Sequence, residues 1–96
     1  MLEKDVVKKI REHIEKDYLG RCFKYWGSAY AEKGVADLIC VVPPGKACFF
    51  EVKLPGKKAR PDQLAWLERY RKLGAITGVV TCTQDVDNLL DNRHIT

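Results

Sequence analysis

The stretch Gly34-Val35-Ala36-Asp37, followed by Leu38-Ile39-Cys40-Val41-Val42, then Pro43-Pro44-Gly45, then Ala47-Cys48-Phe49-Phe50 and Glu51-Val52-Lys53, decides the fold. Two short apolar runs flank a proline-glycine turn, which reads as a β-hairpin. The register follows from burial. A three-residue loop at 43–45 sets Leu38, Cys40 and Val42 on one face against Phe50 and Cys48, and that face is wholly apolar. The other face carries Asp37, Ile39 and Val41 against Glu51, Phe49 and Ala47. A two-residue loop would mix charge into both faces, and such slips are disfavoured when a face is buried. The preferred register puts Asp37 across from Glu51, with Cβ atoms roughly 5 Å apart, and Lys53 lies two residues on along the same face. Charges on buried strands are costly unless paired or bound to a metal. Two facing carboxylates beside a lysine therefore predict a divalent-ion site next to a cationic group.

Outward from this hairpin, residues Leu2 to about Leu19 predict a helix, with Leu2, Val6, Ile10 and Ile14 recurring every four residues and Val7 and Tyr18 widening the stripe. Gly20 is its expected stop. Glu3 shares a face with residues 7, 10 and 14, so it is expected to point inward. Arg21 to Trp26 reads as a short aromatic strand. Residues 27–34 are expected to be a loop or a short turn of helix carrying Tyr30, Glu32 and Lys33, exposed enough to meet a ligand. After the hairpin, Leu54 to Arg60 is a basic loop whose Lys57, Lys58 and Arg60 suit either solvent or phosphate. Pro61 opens a second long helix ending at Gly74. Trp66, Leu67, Tyr70 and Leu73 make its inward stripe, and Gln63 lies on that stripe too. An amide facing the core needs a partner. Ile76 to Cys82 is a further strand. Thr83 is the expected cap of a last short helix from Gln84 to about Leu90. His13 and His94 have no metal-ligand neighbours at useful spacing and read as surface residues.

The composition sets bounds. Ninety-six residues with 46% hydrophobic content make one domain over 1–96, or one protomer of a dimer. No apolar run is long enough to span a membrane, no signal peptide is visible, and a cytoplasmic setting is expected. A net charge of +4 suits a polyanionic partner. Cys22, Cys40, Cys48 and Cys82 show no CxxC spacing and read as reduced thiols rather than a zinc site or disulfides. There is no P-loop, no GxGxxG and no nucleophile elbow.

A helix-1 glutamate (Glu3), Gly34-Val35-Ala36-Asp37 at a strand start, Glu51-Val52-Lys53 on the next strand and Gln63 opening the following helix together resemble the VRR-NUC family (virus-type replication-repair nuclease), a branch of the PD-(D/E)xK nuclease superfamily. The order α-β-β-β-α-β-α also resembles the superfamily's restriction-endonuclease-like α/β core, a mixed central sheet flanked by helices. One departure is Ala36, where the family usually has proline. The resemblance implies metal-dependent hydrolysis of DNA phosphodiester bonds, leaving a 5′-phosphate and a 3′-hydroxyl. Short stand-alone members are similar to phage-encoded proteins that cut four-way (Holliday) junctions and other branched DNA as homodimers, which implies a bacterial or phage-infected cell.

Carried onto this chain, the resemblance implies that Asp37 and Glu51 bind Mg²⁺ or Mn²⁺ with the Val52 carbonyl as a third ligand. Glu3 would ligate directly or through water. Lys53 would orient or activate the attacking water, or stabilise the charge developing on phosphorus. Gln63 would position Lys53 or that water. Lys57, Lys58 and Arg60, with Tyr30 and Lys33 from the earlier loop, would hold the DNA without reading its sequence. Three other readings stand beside this one: a flap or general structure-selective nuclease, a non-catalytic nucleic-acid-binding module that stacks bases on Phe23, Tyr25, Trp26 and Tyr30, and a structural domain with a Lys53–Asp37 ion pair.

Overall fold

The structure is a computed structural model that describes residues 1–27 and 32–91. It contains α1 (Glu3–Asp17), β1 (Arg21–Lys24), β2 (Leu38–Val42), β3 (Lys46–Val52), α2 (Pro61–Lys72), β4 (Ile76–Val80) and α3 (Thr83–Asp91). The strands form one mixed sheet in the order β1-β2-β3-β4. β1–β2 and β2–β3 are antiparallel, while β3–β4 is parallel, as a strand-helix-strand crossover through α2 requires.

The hairpin register is the one that burial demands. Leu38 faces Phe50, Cys40 faces Cys48 and Val42 faces Lys46, so the loop is 43–45. Leu38, Cys40, Cys48 and Phe50 are wholly buried, and Val42 is 1% exposed. With Val6, Ile10 and Ile14 of α1 and Val86 and Leu90 of α3, they make the larger core. The opposite face meets α2 through a smaller cluster of Ala36, Trp66 and Leu67, against which Val35, Phe49, Tyr70 and Val79 pack. Phe49, Trp66 and Tyr70 stack there, with Phe49 edge-on to Trp66 at 5.3 Å between centroids and Trp66–Tyr70 at 4.2 Å. Thr77 Oγ1 donates to the Leu67 carbonyl at 3.0 Å and ties the helix to β4.

Several boundaries differ from expectation. Helix α1 ends at Asp17, and Leu19 rather than Gly20 takes the left-handed conformation, at φ 57°. Gly20 has another task. A Cβ there would lie 2.7 Å from Val42 Cγ1 and 2.9 Å from the Val41 carbonyl oxygen, so the chain crosses β2 where only glycine fits. β4 stops at Val80, which leaves Cys82 exposed outside the sheet. Cys22, Cys40 and Cys48 are the buried thiols, and Cys22 faces Cys40 as Cys40 faces Cys48. The entry to α3 is closed by Asp85, whose Oδ2 accepts from the Thr81 N–H and hydroxyl, each at 2.8 Å. Thr83 is instead the first helical residue. Leu73 is 77% exposed, because α2 ends at Lys72 before the stripe turns inward again.

His13 is not a surface residue. It is half-buried between α1 and α3, with Nε2 2.6 Å from Asp87 Oδ1 and Nδ1 2.6 Å from Asp17 Oδ2. The Tyr18 hydroxyl donates to the same Asp87 oxygen at 2.7 Å. No periodicity argument could find the contact to α3, since His13 and Asp87 are 74 residues apart in the chain. His94 lies outside the described residues.

Burial works against a charged imidazole at His13, but Asp87 and Asp17 outweigh it and hold the pKa above 6.5. A raised folded-state pKa means that the clasp contributes fully below the unfolded pKa and fades as pH rises through the folded one. His13→Ala is therefore expected to cost about 1 kcal/mol at mildly acidic pH and less at alkaline pH. Denaturant melts at the two pH values check this, and an equal loss at both would contradict the clasp.

Candidate active site

Asp37 precedes β2, and Glu51 lies near the end of β3. The register carries them to facing positions, one step beyond the Leu38–Phe50 pair. Backbone geometry locks the first of them. Asp37 Oδ1 accepts the Val52 N–H at 3.0 Å, and the Asp37 carbonyl accepts the Tyr25 N–H at 2.8 Å. Asp37 is thus held between β1 and β3 at the open end of the hairpin.

Glu51 is only 4% exposed. Its Oε2 receives the Lys53 ammonium at 3.3 Å and the Gln63 amide Nε2 at 3.0 Å. Its Oε1 is buried and has no hydrogen-bond partner. A buried carboxylate oxygen without a donor is expensive, and here the two oxygens of one carboxylate are treated unequally. Burial pushes the Glu51 pKa up, Asp37 pushes it further, and Lys53 pulls it down only in part. Burial also raises Asp37, against the Val52 hydrogen bond and the charges of Lys24 and Lys53. Both carboxylates are therefore held above their usual range, each partly by its surroundings and partly by nearby negative charge.

Gln63 sits in the first turn of α2 and is 6% exposed. Its Oε1 accepts the Arg60 N–H at 2.9 Å, while its Nε2 reaches Glu51. The amide thus caps the helix and holds the carboxylate at once. Sequence reasoning placed it on the inward stripe, and the side chain it bonds there is Glu51, which also holds Lys53.

Gly34 explains the spacing of the Gly-x-x-Asp motif. It has φ 78°, and a Cβ there would lie 2.5 Å from the Asp62 carbonyl oxygen and 3.2 Å from the Gln63 nitrogen. The loop before Asp37 therefore rests directly on the first turn of α2. Ala36 is wholly buried in the Trp66–Leu67 cluster, which fixes the backbone that the next residue, Asp37, leaves.

Glu3 is exposed, contrary to the periodicity reading, because it stands in the first turn ahead of Val6, where the buried stripe begins. Its charge nevertheless reaches the site and raises both Asp37 and Glu51. Lys57 and Lys58 are exposed in the loop between Lys53 and α2, and Arg60 is exposed and paired with Asp62 at 3.1 Å. Lys33 is exposed, and its neighbour Glu32 pairs with Arg69 at 2.9 Å. Tyr30 lies outside the described residues. Sequence reasoning missed Lys24, whose charge bears on Asp37; its only signal was its place in a strand leading toward the Gly-x-x-Asp loop.

The VRR-NUC domain model matches residues 2–84. The protein named "Putative nuclease p44" of Acyrthosiphon pisum secondary endosymbiont phage 1 is 37% identical over 87 residues, covering 84% of this chain and 92% of that protein. A solved VRR_NUC domain is 36% identical with a TM-score of 0.75, covering 93% of this chain and 94% of its own. A second solved VRR_NUC domain protein, 17% identical with a TM-score of 0.70, shares the fold over 96% of this chain and 87% of its own. The four-stranded mixed sheet with three helices is consistent with the PD-(D/E)xK core of that family. On this evidence the chain belongs to the VRR-NUC domain family and is a nuclease.

Proposed function

We propose that residues 1–96 act as one Mg²⁺- or Mn²⁺-dependent deoxyribonuclease unit that cuts branched DNA, with the four-way junction as substrate and a homodimer as the active form. The observation that carries the metal is Glu51 Oε1, a buried carboxylate oxygen with no partner beside a second carboxylate. A hard divalent cation would satisfy that oxygen and cancel the repulsion between the two acids.

The donor set fits such an ion. Asp37 and Glu51 offer carboxylate oxygens. In an extended strand the N–H and C=O of one residue share an edge. Since the Val52 N–H points to Asp37, the Val52 carbonyl is a reasonable third donor. Among the described residues no three Asp, Glu, His or Cys side chains converge as a metal-binding group. Two carboxylates, a carbonyl and water suit Mg²⁺, which retains several waters. Glu3 would act through water or as a distant charge, in keeping with its exposure.

When bound, such an ion supplies Lewis acidity toward the scissile phosphate and lowers the pKa of the attacking water. The chain's own residues do the rest. Lys53, fixed on Glu51, orients that water or stabilises charge on phosphorus. Gln63 keeps Glu51 from turning its free oxygen away. Water adds to phosphorus in line, the bond to the 3′-oxygen breaks, and that oxygen takes a proton. The products are a 5′-phosphate and a 3′-hydroxyl. Lys57, Lys58, Arg60 and Lys33 contact the backbone, which positions DNA without reading sequence. A non-catalytic binder of polyanions would gain nothing from two acids at its centre. Support for the dimer comes from the sheet. α2 lies over β3 and β4, while Phe23 (56% exposed) and Val41 (48%) remain open on the β1–β2 half of that face, a surface that a second copy would cover. A flap nuclease is the second reading, favoured by Trp26, which is 79% exposed.

End-labelled four-way junction, 5′-flap and linear duplex incubated with Mg²⁺ or Mn²⁺ test the reading. Paired symmetric nicks in the junction are expected, and EDTA or Lys53→Ala should abolish them. Cleavage of the flap alone would replace the junction with the second reading, and cleavage that survives EDTA would remove the metal.

Asp37→Asn separates site from scaffold. Because both carboxylates titrate above their unfolded values, their charge opposes folding near neutral pH. Asn can still accept the Val52 N–H. The variant is expected to lose activity and to melt higher than the wild type in EDTA, and a lower Tm would show that the acid is a structural partner. Sedimentation is expected to give a dimer, and a monomer at assay concentration would remove the homodimer.

A further inference from the structure

The cations already assigned to DNA lie on the α2 side and in the loop before it. A second set lies elsewhere and has no role so far. Lys4, Lys8 and Arg11 stand on one face of α1 and line a groove of about 310 Å³ with Val7, Lys24 and Trp26. Their spacing spreads three positive charges over about 10 Å of helix axis. Among the described residues, Lys4, Lys8 and Lys24 enter no ion pair, whereas Arg11 has Glu15 at 3.6 Å. Trp26 forms the far wall, 79% exposed, with Lys24 Nζ 5.2 Å from its ring centroid.

We propose that this groove between α1 and β1 holds the sugar–phosphate backbone of an unpaired DNA strand, with one base stacked on Trp26. The proposal rests on the nuclease reading and extends it to branched DNA that carries an unpaired arm, such as a flap, since a fully paired four-way junction has none. Three observations select this occupant. The groove's charged lining is all cationic, which matches a phosphate chain. Its one aromatic side chain, Trp26, is 79% exposed with the Lys24 ammonium over its ring, which leaves ring surface that an unpaired base can stack on and a closed duplex cannot. The groove also adjoins the catalytic strand. Lys24 faces Leu38 in the sheet, and the next N–H, from Tyr25, donates to the carbonyl of Asp37 at 2.8 Å. A strand lying there would pass the end of the sheet at which Asp37 stands, near enough for the Lys24 charge to bear on that carboxylate.

The two tryptophans make the test direct. Trp66 is 3% exposed and Trp26 is 79% exposed, so emission from the two should separate. A short oligothymidylate, and a blunt duplex of equal length, would be titrated in EDTA while following fluorescence. The oligothymidylate is expected to quench the red-shifted Trp26 emission and leave Trp66 unchanged. Trp26→Ala should weaken its binding on the order of 10-fold. The combined Lys4→Ala, Lys8→Ala and Arg11→Ala variant should lower the salt slope of log K by about 2. Unchanged Trp66 emission and Tm in each variant confirm that the fold is kept. Wild-type oligothymidylate binding in both variants, or duplex binding that is equally tight and insensitive to Trp26→Ala, would overturn the proposal. The nuclease reading fails separately: binding and quenching would persist, but Mg²⁺ or Mn²⁺ would produce no cleavage of any branched substrate.

Discussion

Two like charges are held facing each other at the end of a buried hairpin, and the rest of the chain is arranged around that cost. The register that buries Leu38, Cys40, Phe50 and Cys48 leaves Asp37 opposite Glu51. A slip by one residue would separate the acids but would turn the whole apolar row outward. The large core on the α1 and α3 side therefore enforces the unfavourable pair on the α2 side. Hydrophobic burial is spread over many residues, whereas the repulsion is confined to one position. This is how a small sheet can afford such a site.

How well each feature could be read from the sequence follows the range of the interactions that make it. The hairpin register, the order of elements along the chain and the inward placing of Gln63 rest on alternation and on residues close in the chain. All three were legible before any coordinates. Helix ends were less so, since Leu19 takes a left-handed conformation that glycine would normally supply, and Gly20 is claimed by the Val41–Val42 backbone and side chain instead. The His13 clasp was not legible. Spacing along the chain made His13 read as a surface residue and could not show that Asp87 of α3 would be brought against it. Glu3 illustrates the reverse error: periodicity gives the direction of a side chain on its helix but not how far along the helix the core extends.

The two faces of the sheet divide the labour. On one face, α1 and α3 close over a continuous apolar layer. On the other, α2 covers β3 and β4 only, through the Phe49–Trp66–Tyr70 stack and the Thr77–Leu67 hydrogen bond. That stack sits one turn along α2 from Gln63, so packing at the aromatic cluster sets the position of the amide that reaches Glu51. Stability and site geometry are carried by the same helix.

Gln63 is where the two requirements meet, and its chemistry is narrowly constrained. At the third position of a helix, glutamate and glutamine both serve as capping residues, because each can accept the N–H at the helix start. A glutamate here would accept the Arg60 N–H equally well. It would also set a third carboxylate against Glu51, which already carries the charge of Asp37 nearby. Only the amide can accept on one atom and donate on the other. Its donated hydrogen bond, with the Lys53 ammonium, occupies Glu51 Oε2 and leaves Oε1 as the single open oxygen. Gly34 presses the Asp37 loop onto the same helical turn, so the helix cap, the loop and both carboxylates are registered to one another through this close approach and the hydrogen bonds of Gln63 and Asp37. A displacement at the start of α2 would move all of them together, which ties motif elements scattered through the chain to one place in the fold.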